Sequence, residues 1–136
     1  MIDLNHHHIF FSIPEINQYF CIAVGFNVET VTFQNTKLQV WDLGGQTGLR
    51  PYWRCYYQDT NAVVYVIDSA DRERLEVARQ ELELMLQEEE LKGAPVLILA
   101  NKQDLPNAMN EQEVRTNLFS NFDEMTLSHR YATVWG

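Results

Sequence analysis

An α/β fold, with helices layered on a largely parallel sheet, is what the sequence predicts, and three stretches predict it. Ala62 to Asp68 (AVVYVID) and the run PVLILAN at 95–101 are near-continuous apolar segments, the pattern of strands buried on both faces. Between them, DRERLEVARQELELMLQEEELKG places Leu75, Ala78, Leu82 and Met85 at helical spacing, with charges between them and Gly93 just beyond. That is an amphipathic helix with its stop signal.

The other elements can be taken in chain order. FNVETVTF at 26–33 is rich in aromatic and β-branched residues, QNTK supplies turn formers, and LQVWDL resumes the pattern, so a β-hairpin is expected. GGQTG breaks the chain, and LRPYWRCYYQDT reads as a helix or an irregular segment with one aromatic side. Asn110 to Leu118 opens with N-x-x-E, a helix cap. The tail FSNFDEMTLSHRYATVWG loses periodicity and predicts neither strand nor helix. No internal repeat or low-complexity linker interrupts the chain.

Composition narrows the function. At 136 residues, 46% hydrophobic and 21% charged, the chain is long enough for one domain with a core. Ten Lys+Arg against 19 Asp+Glu leave a formal charge of -9, which repels nucleic acid and anionic headgroups. The only cysteines, Cys21 and Cys55, are too few for a disulfide scaffold, so reduced thiols and a cytoplasmic setting are expected. No apolar run approaches the roughly 20 residues of a membrane span. The N-terminus lacks the basic flank and cleavage site of a signal peptide, and with Ile2 after Met1 it lacks the glycine that N-myristoylation needs. The tract His6 to His8 has no cysteine or carboxylate cluster to complete a metal site and reads as solvated. The run Glu88 to Glu90 reads as a solvated helix face.

Two motifs fall where strands end, the end of an open α/β sheet at which ligands bind. In NKQD, Asn101 to Asp104, a carboxylate and an amide stand together. Guanine shows a ring N–H and an exocyclic amine on one edge, with acceptors on the other, so Asp104 can take both donors while Asn101 addresses the acceptor edge and the stem of Lys102 lies along the base. Adenine has no amine for Asp104, which makes discrimination strong. In WDLGGQ, Asp42 would hold a water on Mg²⁺, the Gly45 N–H would meet a γ-phosphate, and Gln46 would orient the attacking water. Glycine lets the backbone approach the phosphate and move when it leaves.

Together GFNVETVTF, WDLGGQ, RPYWRCYY, the DSADRER segment and ANKQDLPNAM resemble the Arf and Arf-like small GTPases, and RPYWRCYY is nearest to the Arf-like class associated with the trans-Golgi. The resemblance divides the chain into a non-family segment 1–24, an Arf-like core 25–118 and a non-family tail 119–136. It implies the three-layer P-loop NTPase fold of the small GTPases, incomplete at its first strand and at its last strand and helix. It also implies a GTP/GDP switch that binds Mg²⁺, hydrolyses GTP slowly with Gln46 as its catalytic residue, and recruits trafficking effectors to Golgi membranes. The nucleotide-binding positions carried over are Asp42, Leu43, Gly44, Gly45, Gln46, Asn101, Lys102, Gln103 and Asp104. Phe26, Trp41 and Tyr56 match the family's effector-binding aromatic triad, although large aromatics are more often core.

The departures from the family are as specific. No G-x-x-x-x-G-K-[ST] string exists, so the backbone cradle, the lysine and the Mg²⁺-binding hydroxyl are missing, and phosphate affinity is expected to be weak. Ala23 aligns with the switch threonine that ligates Mg²⁺ and has no oxygen to offer. The missing first strand is central in the family's sheet, and either HHIFFSI or QYFCIAV is strand-like enough to fill its place. The abrupt edges imply an alternatively joined chain or gene-model fragment. The alternative to a GTPase is a nucleotide-independent interaction module using the surface of Phe26, Trp41 and Tyr56.

Overall fold

The computed structural model describes residues 8–12, 26–34, 36–120, 122 and 133–135. Among these described residues, six strands form one sheet: β1 (His8–Ser12), β2 (Phe26–Phe33), β3 (Thr36–Gly44), β4 (Ala62–Asp68), β5 (Val96–Asn101) and β6 (Thr133–Trp135), in the order β2-β3-β1-β4-β5-β6. The α-helices α1 (Leu75–Leu86) and α2 (Glu111–Leu118), and a 3-10 helix at Arg50–Tyr56, connect them. The predicted α/β class holds, but the sheet is mixed where a largely parallel one was expected: β2–β3, β3–β1 and β1–β4 pair antiparallel, and β4–β5 and β5–β6 in parallel, because the hairpin and the antiparallel central strand make up half of the sheet.

The hairpin forms as expected, β2 pairing antiparallel with β3 from Phe26 opposite Leu43 to Phe33 opposite Thr36. The turn between them puts Gln34 at a φ of 53°. β4 and β5 pair in parallel, Val63 beside Val96 through Asp68 beside Asn101. Parallel strands need a crossover, and α1 supplies it, burying Leu75, Ala78, Leu82 and Met85, the four positions its periodicity selects. These side chains join Leu43, Val63, Tyr65, Ile67, Ile98, Val114 and Leu118 in one core. Inside it the Tyr65 hydroxyl donates to the Ala78 carbonyl (3.0 Å), tying strand to helix, and burial pushes its pKa above the ordinary phenol value. The cap on α2 is reciprocal: the Asn110 side chain accepts from the Glu113 N–H and the Glu113 carboxylate accepts from the Asn110 N–H, each at 2.9 Å. Two helix-end donors are thereby satisfied.

The central position is filled by HIFFS, from the first of the two candidate segments, while QYFCIAV lies outside the described residues. β1 runs antiparallel to both neighbours. His8 pairs with Gly44 on one side and Val66 on the other, and Ser12 pairs with Val40 and Ala62. Both ladders are thereby satisfied, which answers the backbone pairing problem a missing central strand creates. This polarity also sets where the strand ends. The carboxyl end of β1 lies beside the beginning of β4, at the opposite end of the sheet from Gly44 and Asn101.

Two further outcomes differ from expectation. β6 forms within the unassigned tail and pairs in parallel with β5, Thr133 beside Leu97. Three residues are too short for a periodic signal, and an edge position needs only backbone pairing. Cys55, expected as a reduced thiol, is disulfide-bonded; Cys21 lies outside the described residues. A low cysteine count argues against a disulfide scaffold and does not exclude a single disulfide. Among the described residues no helix is long and apolar enough to cross a membrane.

Candidate functional site

Both motifs gather at one end of the sheet. The row Gly44, His8, Val66 runs across β3, β1 and β4, and Asp68 and Asn101 end β4 and β5 just above it. Three strand spacings separate β3 from β5, about 14 Å at the usual spacing between neighbouring strands. That is comparable to the reach of an extended nucleoside triphosphate from base to terminal phosphate.

At the β3 end, Asp42 is half-buried, Leu43 is 0% exposed and Gly45 is buried, while Gln46, Thr47 and Gly48 are exposed. Leu43 is thus a core residue and has only its backbone to offer a ligand. The 3-10 helix that comes next in the chain grips the loop from behind. Trp53 Nε1 donates to the Gly44 carbonyl (3.1 Å), and Arg50 Nε donates to the Gly45 carbonyl (2.9 Å). Arg50 also donates from Nη1 to Glu81 on α1 (3.0 Å). The Gln46 carbonyl accepts from the backbone N–H of Leu49 (2.8 Å), closing the turn. The RPYW string, read from sequence only as an aromatic-sided segment, therefore supplies the two side chains that hold GGQ.

A cleft of about 450 Å³ opens beside this loop, between the 3-10 helix and α1, floored by Trp53, Tyr57 and Met85. Arg54 and Glu88 pair across it at 2.6 Å. Burial, and then the Glu88 carboxylate, push the Tyr57 phenol up beyond its ordinary range. None of the NKQD residues lines this cleft.

At the β5 end, Asn101 and Lys102 are half-buried, and Gln103 and Asp104 are exposed. The Lys102 ammonium does not hang free beside a prospective base; it pairs with the Asp68 carboxylate at 2.7 Å. Gln103 turns inward, its amide N–H donating to Ser69 Oγ and to the Met109 carbonyl, both at 2.9 Å. Asp104 stays at the rim. Sequence reasoning missed Asp68 and Ser69 as parts of this site. The available signal was the polar Asp-Ser pair closing an apolar strand one register step from NKQD.

The three aromatics come together at the other side of β3. Phe26 and Trp41 each approach the Tyr56 ring at 5.0 Å between centroids, the first edge-on and the second tilted. Phe26 and Trp41 are half-buried against the core and Tyr56 is buried, so they make a packed cluster more than an open apolar patch. Burial raises the Tyr56 pKa, keeping the phenol neutral. The Trp41 indole N–H is buried without an acceptor among the described residues. Ala23 lies outside the described residues.

Set against known proteins, residues 14–134 match the profile of the ADP-ribosylation factor family. The chain is 62% identical over 92 residues to ADP-ribosylation factor-like protein 1 of Caenorhabditis elegans, which covers 68% of this chain and 51% of that protein. It is 63% identical over 92 residues to ADP-ribosylation factor 1 of Brassica rapa subsp. pekinensis, covering 68% and 50%. The chain thus spans about half the length of the curated relatives it matches. Among solved structures, the Arl6 BBS3 small GTPase from Trypanosoma brucei, with bound nucleotide analogue GppNp, superposes with a TM-score of 0.74 at 30% identity, covering 89% of this chain and 73% of that one.

Proposed function

The chain belongs to the ADP-ribosylation factor family, and on that premise we propose that it is an Arf-type guanine-nucleotide-binding protein that reads the base well and holds the phosphates weakly. The observation that carries the second half is the antiparallel pairing of β1 with both β3 and β4. A phosphate-binding loop extends from the carboxyl end of its strand. Here that end, Ser12, lies opposite Ala62 at the far side of the sheet.

The residues fit a guanine base. Asp104 is exposed, and the side-chain amide of Asn101 makes no hydrogen bond among the described residues, so a carboxylate and an amide stand ready at the loop. For Mg²⁺ with a triphosphate they offer a carboxylate and no phosphate loop. Asp42 is the carboxylate that resemblance assigns to the metal, and no group of three or more His, Cys, Asp or Glu side chains converges among the described residues. A Mg²⁺ ion on a nucleotide takes most of its oxygens from phosphates and water and only one or two from carboxylates, so what weakens such a site here is the missing phosphate loop more than the carboxylate count. We therefore assign no hydrolytic step to this chain: resemblance gives Gln46 the role of orienting the attacking water, and the chain carries no G-x-x-x-x-G-K-[ST] string to hold the γ-phosphate that water would attack.

By the same family premise, the cellular setting is vesicle traffic at the Golgi, with trafficking effectors as partners. A second reading rests on the family's use of Phe26, Trp41 and Tyr56, which meet here beside the carboxyl end of β3 with Phe26 and Trp41 only half-buried. It is an interaction module whose partner binding does not depend on nucleotide.

The test is a titration of the folded chain with a fluorescent GDP analogue, with GTP and ATP as competitors. We expect saturable binding that GTP displaces and ATP does not, and its loss in Asp104→Ala. Saturable binding displaced equally by both, or none at all by a cooperatively folded chain, would leave the interaction module as the reading.

A further inference from the structure

The loop that carries Asn101 and Asp104 closes its own turn, the Leu105 N–H donating to the Lys102 carbonyl (3.1 Å), but it is anchored from β4. Every polar atom of Ser69, which is 0% exposed, is committed to the β5 loop. Its N–H donates to the Asn101 carbonyl (3.0 Å), its Oγ donates to the same carbonyl and accepts from Gln103, and its carbonyl accepts from the Met109 N–H (2.8 Å). Asn107 adds a hydrogen bond from its side-chain amide to the Ala70 carbonyl (3.2 Å).

Asp68 completes this pedestal with both oxygens. One accepts from the Ala70 N–H (2.9 Å), shaping the Asp68–Ala70 turn, and the other pairs with Lys102. That ion pair is largely shielded, with the lysine and aspartate side chains 24% and 11% exposed. Lys102 has a φ of 64°, in the left-handed region that a residue with a Cβ rarely adopts. Such a backbone persists only where its surroundings enforce it. Here the surroundings are the Lys102–Asp68 ion pair, the Ser69 bonds to the Asn101 carbonyl and the Leu105 N–H on the Lys102 carbonyl (3.1 Å), and the turn they hold lies between Asn101 and Asp104, the two residues that would face the base.

We propose that Asp68 and Ser69 are positioning residues for guanine specificity: they hold Lys102 and Gln103 so that Asn101 and Asp104 meet opposite edges of the base. The inference rests on the guanine reading above. Neither residue need touch the base, and discrimination is lost when the carboxylate and the amide no longer hold their mutual geometry.

The experiment compares GDP with IDP, which lacks the exocyclic amine, in the 136-residue chain and in two variants. Asp68→Asn keeps the acceptor for Ala70 and removes the charge that pairs with Lys102. Ser69→Ala removes the hydroxyl that links Asn101 to Gln103 and serves if the first variant fails to fold. In either variant we expect GDP affinity to fall about tenfold, the scale of one charge-assisted hydrogen bond, with IDP affinity falling less. The GDP/IDP preference therefore shrinks, which a merely destabilised fold would not cause. An unchanged preference and affinity in folded variants overturns the inference alone. A wild-type chain that does not prefer GDP to IDP overturns the guanine reading and this inference with it.

Discussion

Phe10→Pro is expected to abolish cooperative folding. Residue 10 is the midpoint of β1, its backbone paired with Asp42 on one side and Val64 on the other. Proline removes the N–H, fixes φ near a value extended strands do not use, and is confined in sheets to edges and bulges. A central strand offers neither. The lost ladder bond leaves a buried carbonyl unpaired, at about 1–3 kcal/mol, and the ring forces β1 away from one neighbour. Separation of β3 from β4 then splits the core, because Leu43 lies on one strand and Val63, Tyr65 and Ile67 on the other. Against a total stability of about 5–15 kcal/mol, such a loss is decisive. A circular-dichroism melt checks it: the wild-type chain should show a sigmoidal transition and the variant a gradual slope. A cooperative melt in the variant would mean that HIFFS is not the central strand.

Trp53→Ala is expected to cost about 3–5 kcal/mol, the range for deleting a large buried aromatic. Trp53 is 2% exposed and packs in the core beside Tyr57. Its indole also satisfies the Gly44 carbonyl. Trp53→Phe separates the two contributions, retaining most of the ring volume and losing the donor, so about 1–3 kcal/mol remains. Denaturant midpoints measure both. Hydrogen exchange adds the functional consequence: amides from Gly45 to Leu49 should exchange faster in both variants, because the loop that would sense a γ-phosphate has lost one of its two anchors. Unchanged exchange there would place the anchoring entirely on Arg50.

The elements with long patterns were legible in the sequence. The buried strands β4 and β5, the four inward positions of α1 and the Asn110–Glu113 cap all arise from spacing and capping chemistry that act within one segment. The polarity of β1 was not legible, because an apolar pentapeptide such as HIFFS pairs equally well in either direction and carries no signal of its orientation. The neighbours decide, and they lie about 30 to 60 positions away in sequence. β6 escaped for a related reason, being three residues held by β5. At the site, the guanine-reading roles we propose for Asn101 and Asp104 come from residue type alone. The role of Ser69 could not be read that way, since it consists of side-chain and backbone bonds formed only once β4 and β5 lie in register.

If this sheet presents a base-reading end without a phosphate-holding one, nucleotide affinity should owe little to phosphate. A competition series of guanosine, GMP, GDP and GTP against a fluorescent guanine nucleotide, repeated with Mg²⁺ and with a chelator, measures that dependence. We predict similar affinities along the series and little response to Mg²⁺, because each added phosphate meets no cradle. Affinity that climbs steeply from guanosine to GTP and collapses when Mg²⁺ is removed would refute this, showing that the chain builds a phosphate site by other means.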